Sequence, residues 1–484
     1  MNSAYGAKEL SALISPSSTV EEHYLLQKLV REFGSNNIDH RIKQIDFNDQ
    51  DSLSVTPRLG ISIENLDNLD AALFVGADVQ REQPLLITRL LKASRRGGKI
   101  MSANMYDVNA HFMSDFKLIA APERLVQHLA AIVKALSDKK DISAELENLL
   151  ADVTVTDKEK KIADYLREGH TTAVILGAVA QNSQHASTIR YLSSMIAKLS
   201  GATYGILSQG ANSVGACLAG SLPHRGAGGV STEKGQTAKD VIDNPKKAYV
   251  LYNVEPELDF ANSSKSLSAL KAADFVVSLS PFVTDTMKSY ADIILPITPF
   301  TETDGTFVNC NGVWQSFSAA TQPLGESRPG WKVLRVLGNF LDYAGFEYTT
   351  ASEVCAEVKL ACKDIADFSP ALSFVPERLA DSNGLQRIGV WPLYRTDNIV
   401  RRSGPLQKTI FSSEFGVRIN QKTADKLNVV KGEVVDVIQE DAAVALPVII
   451  DSRASNDCVY IAAGFSEGAG LGVVNGAIEI RKRN

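Results

Sequence analysis

The densest chemistry in this 484-residue chain lies between Asp292 and Gln315. Asp292-Ile293-Ile294-Leu295-Pro296 reads as a buried strand stopped by proline, and a turn-rich loop follows. That loop carries Glu302-Thr303-Asp304-Gly305-Thr306 and then Asn309-Cys310-Asn311-Gly312-Val313-Trp314-Gln315. Glycine lets backbone approach closely, and Asn or Gln side chains both donate and accept. Such a loop can line a polar ligand or close a domain interface, and its residue types leave both open.

Other chemistries fail on spacing. Cys217, Cys310, Cys355, Cys362 and Cys458 are an odd, dispersed set with no Cys-x-x-Cys pair, and the seven histidines form no His-x-x-x-His pair. No metal site follows from them, and dispersed thiols suit a reducing compartment. Cys355 and Cys362, two helical turns apart, read as small core residues. Gly97-Gly98-Lys99 lacks the earlier glycine of a P-loop, and Gly226-Ala227-Gly228-Gly229 follows no strand. Both read as turns. Gly464-Phe465-Ser466-Glu467-Gly468 matches the Gly-x-Ser-x-Gly elbow, but the last histidine is His224. An elbow serine needs its histidine later in the chain, so this match is a decoy.

The elements that must position the central loop are legible from periodicity. After Ser15-Pro16-Ser17-Ser18-Thr19, a hydroxyl cap leads into a helix through Glu21, Glu22, Leu25, Leu26, Leu29, Val30 and Phe33, closed by Gly34. Ala71–Val75, a helix near Pro84–Ala93 and Lys99–Met101 form a strand–helix–strand unit. Ala173–Leu176, Ser187–Leu199 and Thr203–Leu207 form a second, and Ala248–Tyr252 running on to Phe275–Leu279 forms a third. Uninterrupted apolar strands between amphipathic helices predict parallel sheets covered on both faces. The first and third units share a pattern, which predicts two nucleotide-fold lobes. The charged helical stretch Ser137–Gly169 reads as their join. Helices are predicted after Gly330-Trp331 and near Ser352–Ala366. From Leu406 the chain turns to short strands, clearest at Val434–Ile438 and Leu446–Ile450, which predicts a small β-barrel.

The fold class read from these patterns is α/β, with two Rossmann-like parallel-sheet lobes and a C-terminal small β-barrel. The boundaries predicted are 1–150 and 151–345 for the lobes, 346–404 for a helical and loop connector, and 405–484 for the barrel. The 50 Lys and Arg against 56 Asp and Glu give a net charge of −6, which argues against a partner bound through nucleic-acid phosphates. The start shows no signal-peptide pattern, and the longest uncharged stretch, Leu199–His224, is too broken by polar residues, glycine and proline for a membrane helix. No direct membrane insertion is expected.

The motif run Ala291-Asp292-x-x-Leu295-Pro296, Glu302-x-x-Gly305-Thr306 and Asn309-x-x-Gly312-x-x-Gln315 resembles the molybdopterin oxidoreductase superfamily. Gly210-Ala211-Asn212-Ser213-Val214-Gly215-Ala216 and the terminal barrel agree. Within that superfamily, Ser15–Arg31, Asn37-Ile38-Asp39-x-Arg41 and Arg395–Thr409 resemble the large iron–sulfur G subunit of bacterial NADH:quinone oxidoreductase, respiratory complex I. This resemblance implies the subunit's C-terminal half, with iron–sulfur clusters in an N-terminal half and the molybdenum-ligand position falling before Met1. It implies a non-catalytic scaffold with no catalytic residue, metal or cofactor in these residues. The implied partners are the flavin/NADH-binding and quinone-module subunits of the hydrophilic arm, at a cytoplasmic location peripheral to the inner membrane. Relatives usually carry Glu-Gly-Arg where this chain has Asn311-Gly312-Val313, which favours a vestigial pocket. Its candidate residues are Gly210, Asn212, Glu302, Asp304, Gly305, Asn309 and Gln315.

Two alternatives remain. One is part of an active molybdopterin-dependent oxidoreductase of formate or nitrate type, with pterin phosphates held by backbone amides near Gly210–Gly215 and polar groups of Glu302–Gln315. The other is a stand-alone binding module.

Overall fold

Apolar runs form the strands where the patterns place them. The computed structural model describes residues 6–108, 110, 116–137, 143–365, 373–376, 384–409, 412 and 415–483. Its contacts divide the chain into two units, each built from separated stretches. Unit 1 is Met1–Gln44, Ser208–Asp367 and Tyr394–Ser412, and unit 2 is Ile45–Leu207, Phe368–Leu393 and Ser413–Asn484. Strands β1 (Leu10–Ile14) and β2 (Ile38–Asp39) open unit 1. Strands β3 (Ala71–Val75), β4 (Lys99–Asn104), β5 (Lys117–Ile119), β6 (Thr172–Leu176) and β7 (Thr203–Ile206) make the sheet of unit 2. Strands β8 (Ala248–Tyr252), β9 (Phe275–Ser280) and β10 (Ile293–Pro296) return to unit 1.

Both sheets are five-stranded and parallel throughout. Unit 1 runs β10-β9-β8-β1-β2 and unit 2 runs β5-β4-β3-β6-β7. Every residue of β1, β3 and β6 is buried, as strands covered on both faces require. The two strands that share a sequence pattern, β3 and β8, each lie in the middle of their own sheet. In unit 1, Thr19 and Glu22 close a capping box on the helix Val20–Glu32. That helix packs Leu25, Leu26 and Val30 against Ile14, Trp331 and Phe346. Strands β11 (Gly305–Val308) and β12 (Trp314–Phe317) form an antiparallel hairpin.

In unit 2 the closed barrel consists of β13 (Leu385–Ile388), β14 (Val417–Ile419), β15 (Val434–Gln439), β16 (Ala442–Ile450), β17 (Cys458–Tyr460) and β18 (Asn475–Lys482). Val417, Ile419, Val435, Val437 and Val448 fill it. It is tied to the loop after β4, where the Tyr460 hydroxyl donates to the Met105 carbonyl and the Tyr106 hydroxyl donates to Asp451 at 2.8 Å. Ser466–Gly468 is a single turn of 3-10 helix in the connection between β17 and β18 of this barrel, so the elbow match lies on neither of the two parallel sheets. No described helix is long and apolar enough to cross a membrane.

Three sequence expectations are corrected. The stretch Ser137–Gly169 does not join two lobes. Its helices Ala144–Leu150 and Asp157–Glu168 connect β5 to β6 of one sheet, and Leu146, Leu150, Ile162 and Leu166 enter that sheet's core. The contiguous boundaries 1–150, 151–345, 346–404 and 405–484 do not follow the units, because β1 pairs with β8 and the first barrel strand begins at Leu385. Finally, Ile293–Pro296 is not buried but forms the sheet edge, with Ile293 42% exposed.

Unit 2 contains a buried ion pair. Arg190, on the helix Ala186–Ser200, donates twice to Asp49 at 2.6 Å, with side chains 7% and 5% exposed. Replacing one partner strands the other charge out of water. Asp49→Ala is therefore expected to lower unfolding free energy by about 3–5 kcal/mol, read from urea melts, and a loss under about 1 kcal/mol would contradict it.

Candidate functional site

In unit 1, β1 and β8 are neighbours, yet the chain leaves them in opposite directions, toward β2 and toward β9. That reversal opens a crevice beyond the carboxyl ends of the strands, where open α/β sheets bind ligands. A cavity of about 170 Å³ lies there. Ser17 and Thr19 reach it from the loop after β1, Asn253 from the end of β8, Thr298 from the end of β10, and Asp397 and Asn398 from the turn of helix Asn398–Arg401.

Each group is held by identifiable bonds. Asn253 has a left-handed backbone (φ 55°), and its side-chain oxygen accepts from the Asn398 amide at 2.7 Å. Asp397 accepts from the amides of Ile399 and Val400, capping the short helix. Arg401 and Arg402 anchor that segment to the loop after β8. Arg401 bonds Asp259 at 2.6 Å and Glu255 at 2.8 Å, and Arg402 bonds Glu255 at 2.5 Å. Glu22 lines the cavity and receives the Thr19 amide at 2.8 Å, and burial pushes its carboxyl above the usual range despite that bond. Thr298 is buried, and its hydroxyl has no hydrogen-bond partner among the described residues. A buried hydroxyl without a partner is costly, which marks this atom as one that a partner would satisfy.

The residues chosen from sequence surround this crevice without lining it. Their neighbours Ala211, Thr303 and Phe307 line it instead. Fully buried Asn212 is a clamp: its side chain donates to the Ser18 carbonyl at 2.7 Å and accepts from the Val308 amide at 2.8 Å. Gly215 leaves room for it, since a Cβ there would lie 2.1 Å from the Asn212 side-chain oxygen. Gly210 turns with φ 70° against Pro16, and Gly305 packs on Thr19, where a Cβ would lie 2.5 Å from its methyl. Glu302 accepts from the Leu324 amide at 3.0 Å, and Asp304 accepts from Ala319 at 2.9 Å. Asn309 accepts from the amides of Asn311 and Val313, closing the hairpin turn. Gln315 is exposed on β12, opposite Phe307. The loop thus spends its polar groups on its own backbone. Sequence reasoning missed Asn253, Thr298, Asp397 and Asn398, whose only signal is polarity directly after an apolar strand or before a short helix.

Unit 2 has the same reversal between β3 and β6, but its crevice is filled from within. Glu82 accepts from the Asp78 amide after β3 and from the Ala178 amide after β6, both at 2.7 Å. Gly76 and Gly177 allow the two loops to touch: a Cβ on Gly177 would lie 2.3 Å from Ala77 Cα. Burial lifts the Glu82 carboxyl from 4.5 to about 7, with the two amides working against it and Asp78 adding to it. Among the described residues, no group of three or more His, Cys, Asp or Glu can hold a metal.

Two predictions follow from these contacts. Asn212→Ala leaves the Val308 amide and the Ser18 carbonyl unpaired, and should cost about 2–4 kcal/mol in urea denaturation. A change below about 1 kcal/mol would remove the clamp from the account. For Glu82, the folded carboxyl keeps its proton at pH values where the unfolded one has lost it. Stability is therefore fully present below pH 4.5 and falls as pH rises toward about 7. Relative to Glu82→Gln, wild type should lose on the order of 3 kcal/mol across that window. A flat difference between the two melting series would refute the shift.

Comparison with known proteins places these features. A family model described as molybdopterin oxidoreductase matches residues 1–340. A putative formate dehydrogenase of Staphylococcus haemolyticus (strain JCSC1435) is 26% identical over 471 residues, covering 85% of this chain and 45% of the relative. One from Bacillus subtilis (strain 168) is 26% identical over 413 residues, covering 73% and 42%. The chain spans less than half the length of these curated relatives. The solved acetylene hydratase of Pelobacter acetylenicus superposes with a TM-score of 0.72 at 15% identity, covering 100% of this chain and 87% of that one, a likeness of fold.

These matches correct the narrower resemblance. They lead to putative formate dehydrogenases and to the molybdopterin oxidoreductase model, and do not support the complex I G subunit. The non-catalytic scaffold, the NADH, quinone and iron–sulfur associations and the expectation of no cofactor rested on that resemblance. The family match implies a molybdopterin cofactor in this region instead.

Proposed function

The chain belongs to the molybdopterin oxidoreductase family, and we propose that it forms a cofactor-holding part of a molybdopterin-dependent oxidoreductase of the formate dehydrogenase type. The observation that carries this reading is the crevice of unit 1 with its unpartnered Thr298 hydroxyl. Its residues fit a polar, hydrogen-bonding group. Ser17, Thr19 and Thr298 bring hydroxyls, Asn253 and Asn398 bring amides, and Asp397 brings a carboxylate. At about 170 Å³ the cavity is smaller than the 300–1,000 Å³ that encloses a whole small-molecule ligand. It therefore suits one polar end of the cofactor rather than all of it. The crevice of unit 2 does not fit, because Glu82 already occupies its amides with a carboxylate.

When bound, a molybdopterin cofactor supplies redox chemistry at its metal. The part played by these residues is to bind and orient. Asn212 fixes the loop carrying Ser17 and Thr19 against the hairpin. Arg401 and Arg402 fix Asp397 and Asn398 against the loop of Asn253. Both walls of the crevice are thus set before a ligand arrives, which lowers the ordering cost of binding. Formate as the substrate rests on the names of the relatives.

The test is to produce the chain in cells that make the cofactor and to measure acid-released pterin fluorescence and molybdenum by mass spectrometry. Pterin near one per chain is expected. Thr298→Val should leave stability unchanged or slightly raised, since an unpaired hydroxyl is lost, yet lower pterin retention about tenfold. Absence of both pterin and molybdenum from the wild-type chain would overturn the reading.

A further inference from the structure

A second cavity, of about 540 Å³, lies in unit 2 between the helix Pro122–Leu136, the segment from Leu149 to Glu159 and the helix Ala186–Ser200. Its volume is that of a small-molecule site. Val126, Leu149 and Leu192 give it an apolar floor. The acidic and guanidinium groups around that floor are unequal: three carboxylates, Glu123 (3.4 Å from His185), Asp152 and Glu159, against one guanidinium, Arg124.

His128 also lines the cavity, held in one orientation. Its Nδ1 lies 2.5 Å from an oxygen of Glu159, whose side chain is 1% exposed. The other Glu159 oxygen takes the Thr156 amide and hydroxyl, completing the capping box of the helix Asp157–Glu168. Burial opposes the Glu159 charge, but the bonds from Thr156, its own amide and His128 outweigh it and hold the carboxyl below its usual range. An ionised carboxylate only accepts, so the proton of this bond sits on Nδ1, and Nε2 is the ring nitrogen left for another partner. Nε2 has no hydrogen-bond partner among the described residues, and the side chain is 31% exposed. Pinning two helices together accounts for the His128–Glu159 bond. It does not require an apolar floor beside a ring nitrogen with no partner.

We propose that this cavity binds a small organic cation, a primary ammonium on an apolar body, which donates to His128 Nε2. The lining selects for it: the surplus of carboxylates repels anions and attracts cations, while the floor takes the apolar part. Glu159 is the positioning residue for the ring. The site is separate from the crevice of unit 1 and independent of the cofactor reading.

Tryptamine is a suitable probe, with indole-3-propionate as its charge-reversed control, titrated calorimetrically into the full chain. Tryptamine should bind with a Kd below about 1 mM, and the acid should bind at least tenfold more weakly. His128→Phe keeps a ring but removes the acceptor, and Leu149→Trp fills the cavity. Each is expected to weaken tryptamine at least tenfold with the urea midpoint little changed. Should His128→Phe unfold, Leu149→Trp carries the test. No tryptamine binding, equal binding of the acid, or binding unaltered in the folded variants would overturn the proposal.

Discussion

The pairing of β1 with β8 is the constraint on which unit 1 depends. Leu10 lies opposite Ala248 and Ile14 opposite Tyr252, across 238 positions of sequence. Closing so long a loop costs little more than closing a short one, about 0.6 kcal/mol for each doubling of length. Separation therefore slows folding more than it weakens the fold. Burial of Leu13, Ile14, Leu251 and Tyr252 stabilises the pairing. It makes unit 1 discontinuous, and it brings Ser17, Thr19 and Asn253 to one crevice. With any other neighbour for β1, the hydroxyls after β1 and the amide after β8 would face different places.

The two sheets show two ways to satisfy the backbone at such a reversal. Buried amides must find acceptors. In unit 2 the chain provides its own: Glu82 spans both loops, and the cost of burying that carboxylate appears as its raised proton affinity. In unit 1 the Thr19 amide is met by Glu22 and the short helix by Asp397, but the Thr298 hydroxyl is left over. An orphaned buried group costs about 1–3 kcal/mol, which a ligand supplying its partner would offset. The same topology therefore yields a closed crevice and an open one, and side chains make the difference.

Much of this was legible in the sequence, and the failures share a cause. Ala71–Val75, Ala173–Leu176 and Ala248–Tyr252 announce themselves because a strand buried on both faces has no polar interruption. Ile293–Pro296 has the same composition but lies at an edge, and composition does not record how many neighbours a strand has. The contiguous domain boundaries failed similarly, since pairing across 238 positions leaves no local trace. Asn212 was found as part of a motif, yet its work of holding Ser18 and Val308 could not be read without their positions. Asn253 and Thr298 were missed because one polar residue after an apolar strand looks like any turn.

The departure at Asn311-Gly312-Val313 is best weighed by where it lies. On sequence, losing a carboxylate and a guanidinium there argued for a pocket that had stopped working. In the structure these residues form the tip of the β11–β12 hairpin, where Asn309 accepts from Asn311 and Val313 and Gly312 has φ 81°. Val313 is 53% exposed, and none of the three lines the crevice. An Arg in place of the exposed Val313 would lie at the surface, where an ion pair contributes little to stability. The absence of Glu and Arg here removes nothing from the walls formed by Ser17, Asn253, Thr298 and Asn398. The argument for a vestigial pocket thus depended on placing the turn inside it, and with the turn outside, the capacity of the crevice rests on the groups that line it.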